Sequence, residues 1–239
     1  MEKDEQRTKD FTFKQFTIYG GYSGMPVSTD GVLLGAWHQS NHAQHILDIG
    51  TGTGLLSLMC AQRYQDCMVD AIDIDEQALQ AAQRNFLASP WKERLSVLAG
   101  DVLTFPFEKS YGAIICNPPY FTSGKHANTP QRATARHSDS LPHEPLLRRC
   151  YDLLNQGGTA SFILPVMEGQ AFIQAAQRLT WYLDVICEIQ PTPEKKANRL
   201  LIQISKTAKA TQYQSLIIRT HQGYTNEFID LTKHFYLKM

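Results

Sequence analysis

The sequence predicts an α/β fold, a mostly parallel sheet with helices on both faces. Three observations predict it. Short apolar runs alternate with longer amphipathic stretches between residues 45 and 205, a glycine-rich turn closes the first run, and NPPY (Asn117–Tyr120) closes a later one. Strands that alternate with helices are joined by crossovers, which makes neighbouring strands parallel and covers both sheet faces. Ligands in such sheets lie at the carboxyl ends of the strands, near the point where strand order reverses. Both special motifs stand at a strand end.

The elements follow in order. HILDIG (45–50) is a short apolar run ending at glycine, and GLLSLMCAQRY (54–64) has helical periodicity. CMVDAIDI (67–74) is rich in alternating β-formers, and DEQALQAAQRNFLAS (75–89) opens with acids and continues in helix formers. LSVLAGD (95–101) and YGAIICNPP (111–119) are two further strands, the second almost wholly apolar and therefore central. LPHEPLLRRCYDLLNQGG (141–158) predicts a helix with proline near its start and glycine at its end. TASFILP (159–165), the helix GQAFIQAAQRL (169–179), LDVICEI (183–189) and RLLIQIS (199–205) complete the series. Residues 1–40 precede the first of these strands and contain FTFKQF and STDGVLLGAW, whereas residues 121–140 form a polar stretch without periodicity. A stretch that long inside a compact domain is usually a functional loop or a mobile one.

At 239 residues, 43% of them hydrophobic, the chain suffices for one large domain with a small extension. No apolar run approaches the roughly 20 residues that span a bilayer. The charged opening MEKDEQRTKD lacks an apolar signal region, so a cytoplasmic location and no membrane association are expected. Five scattered cysteines without a CxxC pair disfavour a zinc knuckle or a disulfide framework, and no metal is expected. The formal net charge of zero hides an asymmetry. Residues 121–150 carry five Lys+Arg against two acids, and residues 191–239 carry eight against three. A localised basic surface suits a phosphate backbone.

The chemistry begins at the glycine turn. Gly50, Gly52 and Gly54 are spaced so that the backbone turns tightly and approaches a ligand where a Cβ would clash, and the next helix offers free N–H groups. Asp73 stands 23 positions after Gly50, near the offset at which an acid binds ribose hydroxyls, with Asp75 as the near alternative. Asp101 ends the third strand; it either accepts from an adenine amine or serves as a turn residue. Asp48 is a carboxylate on an apolar strand end that needs partners, either a cofactor ammonium or neighbouring backbone.

NPPY carries the acceptor chemistry. Two consecutive prolines, Pro118 and Pro119, fix two φ angles and make a rigid platform, offering the Asn117 side-chain oxygen and the Pro118 carbonyl as acceptors. The lone pair of an exocyclic adenine amine is delocalised into the ring. With both N–H bonds held by these acceptors, the nitrogen can pyramidalise and attack a sulfonium methyl in line, losing its proton afterwards. Tyr120 would stack on a base that has left its own stack.

With these residues in place, LDIGTGTGLLSLMCAQR, DAIDIDEQA, SPWKERLSVLAGD and NPPY resemble class I methyltransferases of the N6-adenine type. FTFKQF, STDGVLLGAW, TPQR followed by AR, and the terminal FYL resemble the bacterial tRNA1(Val) adenine-N6-methyltransferase family, over residues from about 11 onward. The resemblance implies a Rossmann-like sheet of seven strands, S-adenosylmethionine as methyl donor and a tRNA adenosine at position 37 as target. It implies a cofactor set of Thr29, Asp48, Gly50, Thr51, Gly52, Gly54, Asp73, Ile74, Asp101, Val102 and Asn117, and a catalytic set of Asn117, Pro118, Pro119 and Tyr120. Residues 1–40 are expected as an extension packing over the cofactor site and 41–239 as the methyltransferase domain, acting as a monomer. Lys125, Arg132, Arg136, Arg148 and Arg149, with Lys195, Lys196 and Arg199 on a second loop, are the candidate RNA contacts. The residues of NPPY also suit a protein glutamine amide or an amine of rRNA or DNA. A nicotinamide oxidoreductase is opposed by the GxGxG spacing, and a catalytically inert RNA-binding module by the presence of the full glycine and NPPY set.

Overall fold

The structure is a computed structural model and describes residues 8–22, 26–40, 43–118 and 142–238. A two-stranded hairpin, β1 (Phe11–Thr12) and β2 (Thr17–Ile18), precedes helix α1 (Thr29–Trp37). Then come β3 (His45–Ile49), α2 (Leu55–Arg63), β4 (Met68–Asp73), α3 (Glu76–Leu87), β5 (Leu95–Ala99) and β6 (Tyr111–Cys116). The remainder is α4 (His143–Leu153), β7 (Leu154–Pro165), α5 (Val166–Arg178), β8 (Tyr182–Gln190), β9 (Arg199–Ser205), β10 (Gln212–Ile217), the small pair β11 (Arg219–Thr220) and β12 (Gly223–Tyr224), and α6 (Asn226–Thr232).

The central sheet has the order β10-β8-β9-β7-β6-β3-β4-β5. From β3 the chain steps outward through β4 to β5, then returns to β6 on the other side of β3. The strand order therefore reverses between β3 and β6, which puts a ligand crevice at their carboxyl ends. All neighbours are parallel except β9, which runs antiparallel to both β7 and β8.

Among the described residues the sheet has eight strands against the expected seven, because β10 adds to the edge beside β8. Its sequence QYQSLI has four exposed residues, so it lacks the apolar signature of a buried strand. The helix expected to run through NQGG ends earlier, at Leu153, and Leu154 already pairs with Tyr111. The glycines serve the strand instead of a helix cap. A Cβ at Gly158 would stand 2.8 Å from the Gly112 carbonyl oxygen, a close approach that only glycine allows.

The core forms on both sheet faces. On one, Leu47, Ile114 and Phe162 meet Leu147 of α4 and Phe172 of α5; on the other, Ile46, Ile115 and Leu201 meet Leu34 of α1 and Leu56 of α2. Helix α1 is buried on seven of nine residues, Gly31 to Trp37, and is apolar all round because α2, α6 and β7 surround it. The N-terminal hairpin adds Phe13, Phe16 and Ile18 to a cluster with Leu55, Met59, Phe86 and Phe235. The extension thus packs on the first two crossover helices and against the C-terminal segment. No helix among the described residues is long and apolar enough to cross a membrane.

Candidate active site

The glycine turn leaves β3 with three left-handed residues, Gly50 at φ 68°, Gly52 at 58° and Gly54 at 82°. The outer two do different work. Gly54 is the N-cap of α2, and a Cβ there would stand 2.5 Å from the Phe86 ring. Gly50 is exposed, and a Cβ there would meet nothing within 4 Å. Gly54 is glycine because of the protein beside it; Gly50 faces open space at the switch point.

Asp48 braces this turn from beneath. Its Oδ2 accepts from the Thr51 hydroxyl at 2.6 Å, the Ser57 hydroxyl at 2.6 Å and the Ser57 amide at 3.1 Å. The neighbouring-backbone role is therefore present. Its Oδ1 is buried and has no hydrogen-bond partner among the described residues. Burial pushes the carboxyl up to about 6, against the pull of the Ser57 and Thr51 donors.

The structure separates Asp73 from Asp75. Asp73 turns inward: Oδ2 accepts from the Gly52 amide at 2.8 Å and Oδ1 from the Asp75 amide at 3.0 Å. Asp75 is the N-cap of α3, accepting from the Gln77 and Ala78 amides. Strand β4 ends at Asp73, so the alternation that would put both acids on one side stops there. Ile74, between them, is 78% exposed at the crevice edge. Asp101 takes the turn role, accepting from the Leu103 amide at 2.9 Å, while its carbonyl receives Thr104 and Phe105. Val102 is buried beside it.

On the other side of β3, strand β6 ends at Cys116, and Asn117 and Pro118 follow. Asn117 Oδ1 is buried and without a hydrogen-bond partner among the described residues. An orphaned buried acceptor costs about 1–3 kcal/mol. Two such oxygens, on Asp48 and Asn117, thus follow from adjacent strands at the switch point. Cys116 is a core thiol whose pKa burial raises well above the ordinary range, which opposes a nucleophilic role.

Helix α1 begins beside this crevice. Ser28 caps it by accepting from the Gly31 amide at 3.0 Å, and Thr29 is exposed. A Cβ at Gly31 would lie 2.9 Å from Leu55, the residue after Gly54. The cluster also includes two residues not anticipated from sequence. Ser57 supplies two of the donors on Asp48. Buried Asn85 accepts from the Tyr19 amide at 2.9 Å and donates to the Thr53 carbonyl at 2.8 Å, tying the hairpin to the glycine turn. A polar Asn85 among the apolar positions Ala78, Ala81, Ala82 and Phe86 of α3 was a readable signal.

The basic residues divide. Arg148, Lys195 and Lys196 are exposed. Arg149 donates Nε to the Val102 carbonyl at 2.9 Å and a second nitrogen to the Phe105 carbonyl, and its guanidinium lies 5.3 Å from the Phe107 ring centroid. It ties the loop after β5 to α4. Arg199 pairs with Asp30 at 2.7 Å. For both, the expected phosphate contact meets a guanidinium already bound to protein oxygens. Pro119, Tyr120, Lys125, Arg132 and Arg136 lie outside the described residues. No group of three metal-ligating side chains occurs among the described residues.

The reversed strand order, the left-handed glycine turn and the acid at the end of β4 make a nucleotide-binding α/β crevice, and the family "Methyltransferase small domain" matches residues 22–145, which makes the chain a methyltransferase. An O-methyltransferase from Agrobacterium tumefaciens, described as predicted, superposes with a TM-score of 0.66 at 20% identity, covering 86% of this chain and 96% of its own. The tRNA1(Val) (adenine(37)-N6)-methyltransferase of Vibrio parahaemolyticus is 53% identical over 239 residues, all of both chains. That of Aliivibrio salmonicida is 50% identical over 231 residues, 97% of this chain and 99% of its own. The chain belongs to the tRNA1(Val) (adenine(37)-N6)-methyltransferase family.

Proposed function

We propose that the chain transfers the methyl group of S-adenosylmethionine to N6 of adenosine 37 in tRNA1(Val), in the crevice at the carboxyl ends of β3 to β6. The observation that carries this siting is the buried Oδ1 of Asn117, without a partner among the described residues, beside the left-handed glycine turn. The reaction supplies the donor that this acceptor lacks, an amine N–H of the target base.

The residues present fit the cofactor. Gly50 leaves open space where a side chain would intrude, Asp73 stands over the turn as the ribose acceptor, and exposed Ile74 offers an apolar face to the adenine ring, with Asp101 and Val102 beyond it. Thr51 lies between the turn and Asp48, and Thr29 lies on the segment that closes over them. When bound, S-adenosylmethionine supplies an electrophilic sulfonium methyl. The chain's own contribution is orientation. Asn117 Oδ1 and the Pro118 carbonyl hold both protons of the target amine, which pyramidalises the nitrogen and stabilises the positive charge it gains. Pro118 and Pro119 fix the acceptors, and Tyr120 stacks on the extruded base. The proton leaves after transfer, so no strong base is needed. Lys125, Arg132, Arg136, Arg148, Lys195 and Lys196 meet the RNA backbone.

Labelled methyl donor and total tRNA, followed by nucleoside analysis, test the reading, with N6-methyladenosine in tRNA1(Val) as the expected product. Asn117→Ala loses transfer by about 100-fold or more, the scale of removing one positioned electrostatic group, and loses far less in cofactor affinity than in transfer. A variant that methylates at the wild-type rate refutes the role of Asn117.

A further inference from the structure

We propose that Arg199 is a positioning residue for cofactor binding: its ion pair with Asp30 holds the start of α1 against the glycine turn and joins that turn to the basic loop 191–198. The proposal rests on the cofactor siting above and adds to it a residue that charge counting assigns to RNA.

The connection is continuous. Arg199 opens β9, opposite Pro165 of β7 and Ile189 of β8, and so stands at the carboxyl edge of the parallel strands. Its Nε donates to Asp30 Oδ2 at 2.7 Å, with the two side chains 23% and 15% exposed. Its NH1 donates to the Asn198 carbonyl at 2.9 Å, which anchors the end of the loop carrying exposed Lys195 and Lys196. Asp30 lies in the first turn of α1, two residues from the capping Ser28, and the next residue, Gly31, packs against Leu55 at the start of α2. From the loop to the cofactor turn every link is a hydrogen bond, an ion pair or a packed contact.

Electrostatics explains why the link needs both partners. The N-terminus of α1 carries partial positive charge, which favours Asp30 and disfavours a bare cation. Arg199 is tolerated there through Asp30. A shielded guanidinium neutralised by a carboxylate is a poor phosphate ligand, unlike the exposed Lys195 and Lys196 before it.

The test uses the full chain with Arg199→Ala, Arg199→Lys, Asp30→Asn and the swapped pair Asp30→Arg/Arg199→Asp. Calorimetry gives the S-adenosylmethionine dissociation constant without tRNA, filter binding gives tRNA affinity without cofactor, and initial rates separate KM from kcat. Arg199→Ala and Asp30→Asn are expected to weaken cofactor binding roughly tenfold, the scale of one charge-assisted hydrogen bond, and to raise the cofactor KM in proportion. Transfer at saturating cofactor and tRNA affinity without cofactor change less than twofold. Arg199→Lys retains part of the affinity. The swap restores less than Arg199→Lys, since it sets a cation at the positive helix end. Two results overturn the proposal: tRNA affinity falling while cofactor affinity holds, which makes Arg199 an RNA contact, or neither changing. If Arg199→Ala does not fold, Asp30→Asn and Arg199→Lys carry the same comparison. Failure of the underlying siting reads differently: Gly50→Ala would then bind cofactor as the wild type does.

Discussion

The two outer glycines of the turn provide a sharp test, because alanine at each carries the same backbone penalty but meets different surroundings. Gly50 and Gly54 both have left-handed φ, 68° and 82°. An L side chain there costs roughly 1–2 kcal/mol. At Gly50 a Cβ meets nothing within 4 Å, so Gly50→Ala should lose only that amount. At Gly54 the Cβ would lie 2.5 Å from Cε1 and 3.1 Å from Cζ of buried Phe86, which adds roughly 1–3 kcal/mol of overpacking. Gly54→Ala should therefore lose about 2–5 kcal/mol. Phe86→Leu lacks both offending atoms. In the double variant Gly54→Ala/Phe86→Leu the clash disappears, so adding Gly54→Ala to Phe86→Leu should cost only the backbone share. Urea unfolding of the cofactor-free chain, with an unchanged m-value, measures all four. Cofactor affinity should run in the opposite order to stability. Gly50→Ala puts a methyl group into the crevice and loses affinity about tenfold or more, the equivalent of at least one displaced hydrogen bond. Equal destabilisation by Gly50→Ala and Gly54→Ala, or a Gly54→Ala penalty that Phe86→Leu does not relieve, refutes this division of labour.

Asp48, with its carboxyl pushed up to about 6 by burial, should give the cofactor-free protein a pH-dependent stability. The folded value lies above the unfolded one, so the contribution is fully present below about pH 4 and lost as pH rises through 6, about 3 kcal/mol in all. Denaturant titrations of wild type and Asp48→Asn from pH 4 to 8 should diverge by that amount, and superimposable profiles would count against it. Asn85→Ala should cost about 2–4 kcal/mol, since it removes the partner of the half-buried Tyr19 amide and of the buried Thr53 carbonyl together; a loss below 1 kcal/mol by chemical denaturation would mean that water replaces Asn85. Lys195→Ala/Lys196→Ala should weaken tRNA binding uniformly across tRNA sequences and flatten the slope of log affinity against log salt by roughly 1–2, given about one released counterion per phosphate contact. An unchanged slope removes these lysines from the interface.

Much of the fold was legible because it is written in local pattern. The run HILDI, the nearly apolar YGAIIC and the helix formers between them specify strands and helices without reference to anything distant. Local pattern misleads where a residue's signal depends on its neighbours. QYQSLI reads as polar because an edge strand buries little, yet it forms β10. NQGG reads as a helix stop, although its Gly158 allows β7 to approach β6.

The site divides along the same line. The sequence by itself determined the left-handed glycine turn, since glycines at 50, 52 and 54 admit φ values that other residues resist. It also determined that Asn117 and Pro118 follow a strand. Only the tertiary structure decided which carboxylate serves which role. Asp73 and Asp75 look equivalent two residues apart, yet β4 ends between them and leaves one facing Gly52 and the other capping α3. Arg149, Arg199 and Lys195 likewise count as equal charges in the sequence. Folding brings carbonyls to the first and Asp30 to the second, and leaves the third in water. Charge belongs to a residue, but what the charge can bind depends on the partners and burial that long-range packing supplies.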